Sequence, residues 1–180
     1  VLYGDVPLIT AETLEHCVAI ARAGELGIVT ANMSDPARLG RILRNETDSI
    51  EAIVEHKDAT QQQRAIHEIN SGILAAPTHL LRSWLAEVQP SNQQGEYYLT
   101  DVVALAVHDG VSVQGIVVDD ANEVIGVNDR VQLSQVERIL QRRQADELMR
   151  QGVTLADPER VDIRGTLSCG TDCFIDVNTV

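Results

Sequence analysis

The 180-residue sequence is poor in aromatic residues and in positive charge. Phe, Trp and Tyr together make up 3% of it, and its 14 Lys and Arg residues are outnumbered by 27 Asp and Glu, which gives a net charge of -13. Such a charge repels a phosphate backbone, and the basic residues are scattered rather than gathered into one stripe. The composition therefore argues against nucleic acid as a partner.

The sequence also lacks long apolar runs. No stretch approaches the roughly 18 apolar residues of a membrane-spanning helix, and no basic region followed by an apolar core marks a leader at the start. We therefore expect a cytoplasmic protein with no membrane partner. With 44% hydrophobic and 23% charged residues, the chain has the composition of a globular protein and is long enough for one substantial core.

Three cysteines are too few for a disulfide framework or a structural zinc site. An odd number cannot pair completely, and Cys17 falls within a helical pattern. Cys169 and Cys173 are four apart in the sequence CGTDC, which offers too few ligands and an unusual spacing for zinc. We expect reduced thiols.

Segments with strand and helix patterns alternate along most of the chain. The predicted strands span residues 1–3, 27–33, 66–76 and 111–118, with a hairpin formed by 41–44 and 49–55. The predicted helices span residues 13–23, 77–88 and 99–108. This alternation indicates a mixed α/β fold, with Asp5 at the carboxyl end of the first strand.

The last fifty residues have a different pattern. Apolar positions recur at helical spacing over residues 131–151, and Gly152 follows where a C-terminal cap is expected. Two sets of apolar residues then recur every six positions: Val161, Leu167 and Cys173, and Ile163, Cys169 and Ile175. A period of six is typical of a left-handed parallel β-helix, although chance alternation explains so few hexads nearly as well.

Five motifs occur in one order: LYGDVPLI, IVEHKDAT, EINSGIL, QGEYYLTD and GVNDR. With the helix and the hexads, they resemble the bacterial bifunctional N-acetylglucosamine-1-phosphate uridylyltransferase and glucosamine-1-phosphate N-acetyltransferase over essentially the whole chain. The resemblance implies an incomplete Rossmann-like uridylyltransferase domain over residues 1–130. It implies a linker helix over 131–151 and the first turns of a left-handed β-helix over 152–180.

The resemblance also implies a reaction. Members of that family join UTP and N-acetylglucosamine 1-phosphate into UDP-N-acetylglucosamine and pyrophosphate with Mg²⁺, and they form homotrimers. A C-terminal domain acetylates glucosamine 1-phosphate with acetyl-CoA. The family's glycine-rich nucleotide loop would precede Val1, and the acetyltransferase site would follow Val180. We therefore expect the natural chain to begin upstream and these residues alone to be inactive.

Asp5 and Asn128 match the family's magnesium-side residues, and the resemblance gives them the catalytic role of holding Mg²⁺. Tyr3 and Gly4 would line the nucleotide beside Asp5. Carboxylate and amide oxygens suit a hard cation that keeps most of its waters. Taken singly, Asp5 is explained as well by a helix cap or a turn, Gly4 by a positive φ, and Asn128 by an N-cap shared with Asp129.

Five further residues match the family's sugar-contacting positions: Gly40, Glu55, Asn70, Tyr98 and Thr100. Carboxylate and amide groups can fix sugar hydroxyls and an acetamido group, and a glycine permits a close approach. Taken singly, simpler roles are favoured. Gly40 and Asn70 are then turn residues, Glu55 a solvated strand residue and Thr100 a helix cap.

Two other functions remain open from the sequence. One is a nucleotidyltransferase for another hexose 1-phosphate, against which the hexads argue. The other is a non-catalytic sugar-nucleotide binding or assembly module, which the missing nucleotide loop suggests.

Overall fold

A computed structural model of the chain describes residues 1–179. These residues separate into two compact units, the first covering Val1–Ile125 and the second beginning at Gly126. Helices alternate with strands through the first unit, so the predicted mixed α/β character is confirmed. Among the described residues, every helix is too short or too polar to cross a membrane.

Five strands and four α-helices are found in the first unit among the described residues. The strands are β1 (Leu26–Asn32), β2 (Arg41–Arg44), β3 (Ile50–Val54), β4 (Glu68–Ala75) and β5 (Val113–Val117). The helices are α1 (Ala11–Arg22), α2 (Gln61–Arg64), α3 (Thr78–Glu87) and α4 (Asp101–His108), and a 3-10 turn covers Ala121–Val124.

The strands form one mixed sheet in the order β3-β2-β4-β1-β5. Strands β1 and β5 pair in parallel, whereas the other neighbouring pairs are antiparallel. The predicted hairpin is confirmed, since β2 pairs with β3 and the turn is closed by a hydrogen bond from Asp48 N to Asn45 O (3.0 Å). The sheet therefore combines a hairpin edge with one parallel pair.

Helices cover both faces of this sheet. Strand β1 lies between β4 and β5, and six of the seven β1 residues are buried. On one face Leu26 and Ile28 pack with Trp84 of α3 and with residues of α4. On the other face Val29 packs with Cys17 of α1. A strand buried on both faces reads as a continuous apolar run, which is the pattern in this segment.

The strand predicted at residues 1–3 is not formed. Val1 makes one pair of hydrogen bonds with Leu74 of β4: Val1 N donates to Leu74 O (2.7 Å), and Leu74 N donates to Val1 O (3.3 Å). The segment is exposed and turns at Gly4 and Asp5. A single bonded pair therefore does not extend into a ladder.

The ring of Tyr3 lies against Gly72 in β4. A Cβ built on Gly72 would stand 1.9 Å from Tyr3 Cε2, and Gly72 has φ +81°. The pairing of β1 with β4 shifts register just beyond Asn70, where the Ser71 hydroxyl donates to Val29 O (2.6 Å). Glycine is required at position 72 both by its φ and by the approaching ring.

An ion pair crosses the sheet at the start of β4. Glu68 accepts hydrogen bonds from Arg44 Nε and Nη2 (2.8 Å each) and from the Thr30 hydroxyl (2.8 Å). Burial acts to raise the pKa of Glu68, but the hydrogen bonds from Arg44 and Thr30 outweigh it and hold this pKa below its ordinary value. The carboxylate is thus stabilised in its charged form.

The stability contributed by Glu68 should depend on pH. A carboxyl group whose pKa is lowered by folding stabilises the fold fully above its pKa in the unfolded chain, about 4.3. That contribution is lost as the pH falls through the lower pKa of the folded state. We expect the free energy of unfolding, measured with urea from roughly pH 3 to 7, to fall more steeply at acid pH in the wild type than in Glu68→Gln. Equal slopes would contradict the assignment.

The second unit is built on α5 (Arg130–Arg150), which confirms the long helix predicted over residues 131–151. Asp129 caps it by accepting a hydrogen bond from Gln132 N (2.8 Å), and Gly152 follows its C-terminus with φ +96°. Ala145 and Leu148 of α5 form a small core with β6 (Thr154–Leu155) and the residues beyond it.

Beyond α5, segments distant in the sequence pair in parallel. Strand β6 pairs with β7 (Phe174–Ile175), and an isolated parallel bridge joins Val161 to Thr179. A 3-10 turn covers Pro158–Arg160. The left-handed β-helix stays a prediction.

Candidate functional site

Four of the predicted sugar-contacting residues lie in one connected cluster. Gly40 precedes β2, Glu55 follows β3, Asn70 lies in β4, and Thr100 stands at the start of α4. Asn70 N donates to Gly40 O (2.9 Å), and the Thr100 hydroxyl donates to Glu55 Oε1 (3.1 Å). A Cβ on Gly40 would stand 3.4 Å from the same Glu55 oxygen. We call these four residues the Glu55 cluster.

Glycine is favoured at position 40 because the side chains of Ile53 and Glu55 lie close to it, and not because of a turn. Its φ is not in the left-handed region. A Cβ at this position would lie 3.1 Å from Ile53 Cγ2, as well as close to the Glu55 carboxylate. Alanine would therefore require Ile53 of β3 or the Glu55 side chain to shift slightly, so a close approach explains this glycine better than a turn does.

Thr100 occupies the N-cap position of α4 but makes no capping hydrogen bond with its side chain. Its hydroxyl bonds instead to Glu55, 45 residues away in the sequence. Glu55 is half-buried rather than fully solvated. Its Oε2 accepts no hydrogen bond from the described residues, so this oxygen is available to a ligand.

Asn70 lies within β4 at its register shift, so the interpretation of Asn70 as a turn residue between elements does not hold. Its Oδ1 accepts a hydrogen bond from Gly72 N (3.0 Å). The amide nitrogen of the side chain donates no hydrogen bond within residues 1–179. The Tyr3 ring lies on Gly72, two residues beyond Asn70 in the same strand.

Tyr98 is half-buried just before α4. Its hydroxyl accepts a hydrogen bond from the Gln94 amide, and Gln94 accepts one from Lys57. A cavity of about 430 Å³ opens at this place, and its wall includes charged and polar side chains: Arg38, Glu55, His56, Lys57 and Gln94. Tyr98 is thus linked through Gln94 to the segment that carries Glu55.

Three arginines act on His56 at this cavity, although the chain is acidic. Desolvation lowers the pKa of His56, and the charges of Arg64, Arg41 and Arg38 lower it further. His56 is therefore neutral at neutral pH. These arginines favour a ligand that carries negative charge, whereas nearby carboxylates act on Tyr98 with the opposite sign.

Asp5 and Gly4 lie in the exposed turn after Tyr3. Asp5 does not cap α1, because Thr10 does so by accepting a hydrogen bond from Thr13 N (3.2 Å). Gly4 lacks the positive φ that one interpretation predicted. The Asp5 carboxylate accepts no hydrogen bond from the described residues and has solvent around it. It fits a cation that retains water ligands.

Asn128 belongs to the second unit, where it is exposed. The cap of α5 is Asp129, so the cap interpretation of Asn128 does not hold. Its backbone N donates to Gln132 Oε1 (2.6 Å), and its side chain makes no hydrogen bond with the first turn of α5 among the described residues. The magnesium role of Asn128 stays a prediction.

Sequence reasoning missed Arg41, which is only 2% exposed. Its burial depends on the loop before β2 folding back over it, and the local pattern carries no signal of that. It also missed Lys57 and Gln94, which lie in polar segments that are usually solvated.

A mixed sheet with helices on both faces defines an α/β protein, and a half-buried carboxylate lies at a polar cavity beside this sheet. No family model matches the chain. A bifunctional protein GlmU from Pseudomonas aeruginosa (strain LESB58) is 54% identical over 178 residues, which cover 99% of this chain and 39% of that protein. The GlmU of Acinetobacter baylyi is 52% identical over 180 residues (100% and 39%), and that of Polaromonas naphthalenivorans is 54% identical over 183 residues (100% and 39%).

This chain belongs to the GlmU family, so the resemblance carried by the five motifs is confirmed. It spans about two fifths of the length of the curated relatives it matches. Among solved structures, one from Bacillus anthracis described as a glucose-1-phosphate thymidylyltransferase in complex with a sucrose is 19% identical. It covers 69% of this chain and 45% of that chain with a TM-score of 0.46.

Proposed function

We propose that this chain forms the sugar-binding and magnesium-binding part of a uridylyltransferase. The reaction joins UTP and N-acetylglucosamine 1-phosphate, and it releases UDP-N-acetylglucosamine and pyrophosphate. The observation that carries the proposal is the Glu55 cluster, which joins residues from four separate segments. Thr100 and Gly40 lie against a carboxylate that keeps one free oxygen, and Asn70 is bonded to Gly40. Identity of 52 to 54% with GlmU proteins supports it.

The cluster suits a sugar ring. Thr100 holds one oxygen of Glu55, so Glu55 Oε2 is oriented to accept a hydrogen bond from a sugar hydroxyl. The amide nitrogen of Asn70 is a free donor for a hydroxyl or an acetamido oxygen. Gly40 would present bare backbone to the ring, and Tyr98 is bonded to Gln94, which lines the cavity. A pocket wall of this kind binds through a few fixed polar groups.

Asp5 would hold Mg²⁺ through one carboxylate oxygen, and Tyr3 and Gly4 would border the nucleotide. When bound, Mg²⁺ would supply positive charge that offsets the repulsion between the reacting phosphate groups. Asn128 is retained as a candidate ligand of the ion. In this proposal Asp5 supplies an unpaired carboxylate for the metal, and Glu55 orients the sugar.

For the whole protein we propose a uridylyltransferase domain including residues 1–130, a linker helix over 131–151 and a left-handed β-helix from 152 onwards. Homotrimeric assembly and acetylation of glucosamine 1-phosphate by acetyl-CoA belong to the same proposal. The parallel pairing of β6 with β7 supports the β-helix, and the identity to bifunctional relatives supports the rest.

Binding to the 180-residue chain tests this proposal. In a titration of labelled chain followed by NMR, we expect weak binding of N-acetylglucosamine 1-phosphate, weaker binding of glucose 1-phosphate, and tighter binding of UDP-N-acetylglucosamine when Mg²⁺ is added. Asp5→Ala should remove the gain due to Mg²⁺ and leave binding of the sugar phosphate nearly unchanged, because only the metal ligand is lost.

The control is Glu15→Ala, which removes an exposed carboxylate from α1. This variant should respond to Mg²⁺ as the wild type does. A wild-type chain whose affinity for the nucleotide sugar is insensitive to Mg²⁺ would contradict the role of Asp5. Shifts distributed away from the Glu55 cluster would contradict the sugar site.

A further inference from the structure

Arg41, the first residue of β2, is a buried positive charge beside the Glu55 cluster. Its guanidinium donates to Ala37 O (3.1 Å) and to Leu39 O. No carboxylate among residues 1–179 forms an ion pair with it, and its Nε has no hydrogen-bond partner there. Burial of an arginine is costly unless its donors are satisfied. Among the described residues, the buried guanidinium is therefore stabilised only by its hydrogen bonds to the loop before β2.

The two carbonyl groups belong to a tight turn that leads into β2. Leu39 N donates to Pro36 O (3.1 Å), and Ala37 N donates to Asp35 Oδ1 (3.0 Å). Ala37 has φ +45°, which is unfavourable for a residue with a Cβ. The planar fork of a guanidinium can hold two carbonyls in a fixed relation, which an ammonium on a flexible stem does less well.

Gly40 lies between the held carbonyl of Leu39 and Arg41 itself. Its own carbonyl accepts the hydrogen bond from Asn70, and its Cα faces Glu55. A rotation of the peptide between Leu39 and Gly40 would therefore move the backbone that meets Glu55. Release of the Leu39 carbonyl from Arg41 permits such a rotation.

We propose that Arg41 is a positioning residue that sets the backbone of Gly40 against Glu55 and thereby fixes how closely a sugar ring approaches this wall. The consequence for the sugar rests on the proposed function. The effect of Arg41 on the Gly40 backbone does not depend on the proposed function, and it can be measured without any ligand.

Hydrogen exchange of the Asn70 amide measures that hold, because this amide donates to Gly40 O. In Arg41→Gln, we expect its protection to fall about tenfold, the equivalent of losing one hydrogen bond. The Val118 amide, which donates to Thr30 O (2.9 Å), should keep its protection. The dissociation constant of N-acetylglucosamine 1-phosphate, measured by NMR titration, should rise about tenfold. Arg41→Lys should show smaller effects, since one ammonium can replace part of the fork.

Two control variants separate positioning from general stability. Arg22→Gln removes an exposed charge from α1 and should change neither readout. Cys17→Ala opens the core between α1 and the sheet and should lower stability while leaving the Asn70 amide no more affected than that of Val118. The proposal is overturned if the Asn70 amide keeps its protection in Arg41→Gln. It is also overturned if Cys17→Ala lowers the protection of the Asn70 amide, relative to that of Val118, as much as Arg41→Gln does.

Two further outcomes remain decisive. If Arg41→Gln does not fold, Arg41→Lys decides in its place, and wild-type values of both readouts in that variant overturn the proposal. If the wild-type chain fails to bind the sugar phosphate, the proposed function is at fault. The exchange of the Asn70 amide then still decides whether Arg41 holds the Gly40 backbone.

Discussion

Trp84→Ala should lower the free energy of unfolding by about 3 to 5 kcal/mol. Trp84 is completely buried in α3, where it packs with Leu26 of β1 and with Val102 and Val103 of α4. Alanine leaves a cavity between a sheet and two helices, which relax only partly to fill it. Urea denaturation followed by circular dichroism measures the loss, because this is the only tryptophan in the chain and its fluorescence disappears with it.

The same side chain also supports the candidate site. Its indole nitrogen donates to Asp109 Oδ2 (2.9 Å) at the C-terminal end of α4, while Thr100 stands at the other end. Trp84→Phe keeps most of the apolar contact and loses this hydrogen bond to a carboxylate, so it should cost only a part of the alanine value, with about 1.5 kcal/mol due to the bond. A loss in Trp84→Ala no larger than that in Trp84→Phe would contradict the packing argument.

Elements with a strong periodic pattern were predictable from the sequence. The long helix α5 repeats apolar positions over many turns and ends at a glycine, and the hairpin of β2 and β3 carries its turn residues between two apolar runs. In both cases local propensity and packing favour the same structure. The bounds of the helix differ by one residue at each end from the predicted 131–151.

The segment 1–3 shows where such patterns fail. An apolar run followed by Gly4 and Asp5 is typical of a strand, but strand formation depends on a neighbour that continues the pairing. Beside β4 the pairing stops after Val1, because the Tyr3 ring occupies the space over Gly72. Neither the ring contact nor the register shift at Asn70 leaves a signal in the local sequence.

The candidate site was predictable only through the family resemblance. Judged by local chemistry, Thr100 is a helix cap, and it does occupy that position, yet its hydroxyl bonds to Glu55. Residue types define what a side chain can bond to, whereas the tertiary fold decides which partner it meets. The same reason hides Arg41, since nothing local indicates that an arginine opening a strand is buried.

Glu55→Gln is expected to weaken the binding of N-acetylglucosamine 1-phosphate by about ten- to a hundredfold. Glutamine keeps the shape of the side chain and an oxygen for Thr100, but it replaces the charged acceptor Oε2 by an NH₂ group or a neutral oxygen. Hydrogen bonds to a charged acceptor contribute about 1.5 to 3 kcal/mol. NMR titration of the labelled chain measures the dissociation constant, and thermal unfolding shows whether the fold is retained.

Glu51→Gln offers a matched control, because Glu51 is an exposed carboxylate in the adjoining strand β3. Its binding should equal that of the wild type, and an equal loss in both variants would indicate a general effect of charge. Thr100→Val adds a test of orientation, since it removes the only side-chain hydrogen bond to Glu55 among the described residues. If Thr100 acts by orienting Glu55, the double variant Glu55→Gln/Thr100→Val binds no more weakly than Glu55→Gln alone. Additive losses would show that Thr100 contacts the ligand independently of Glu55.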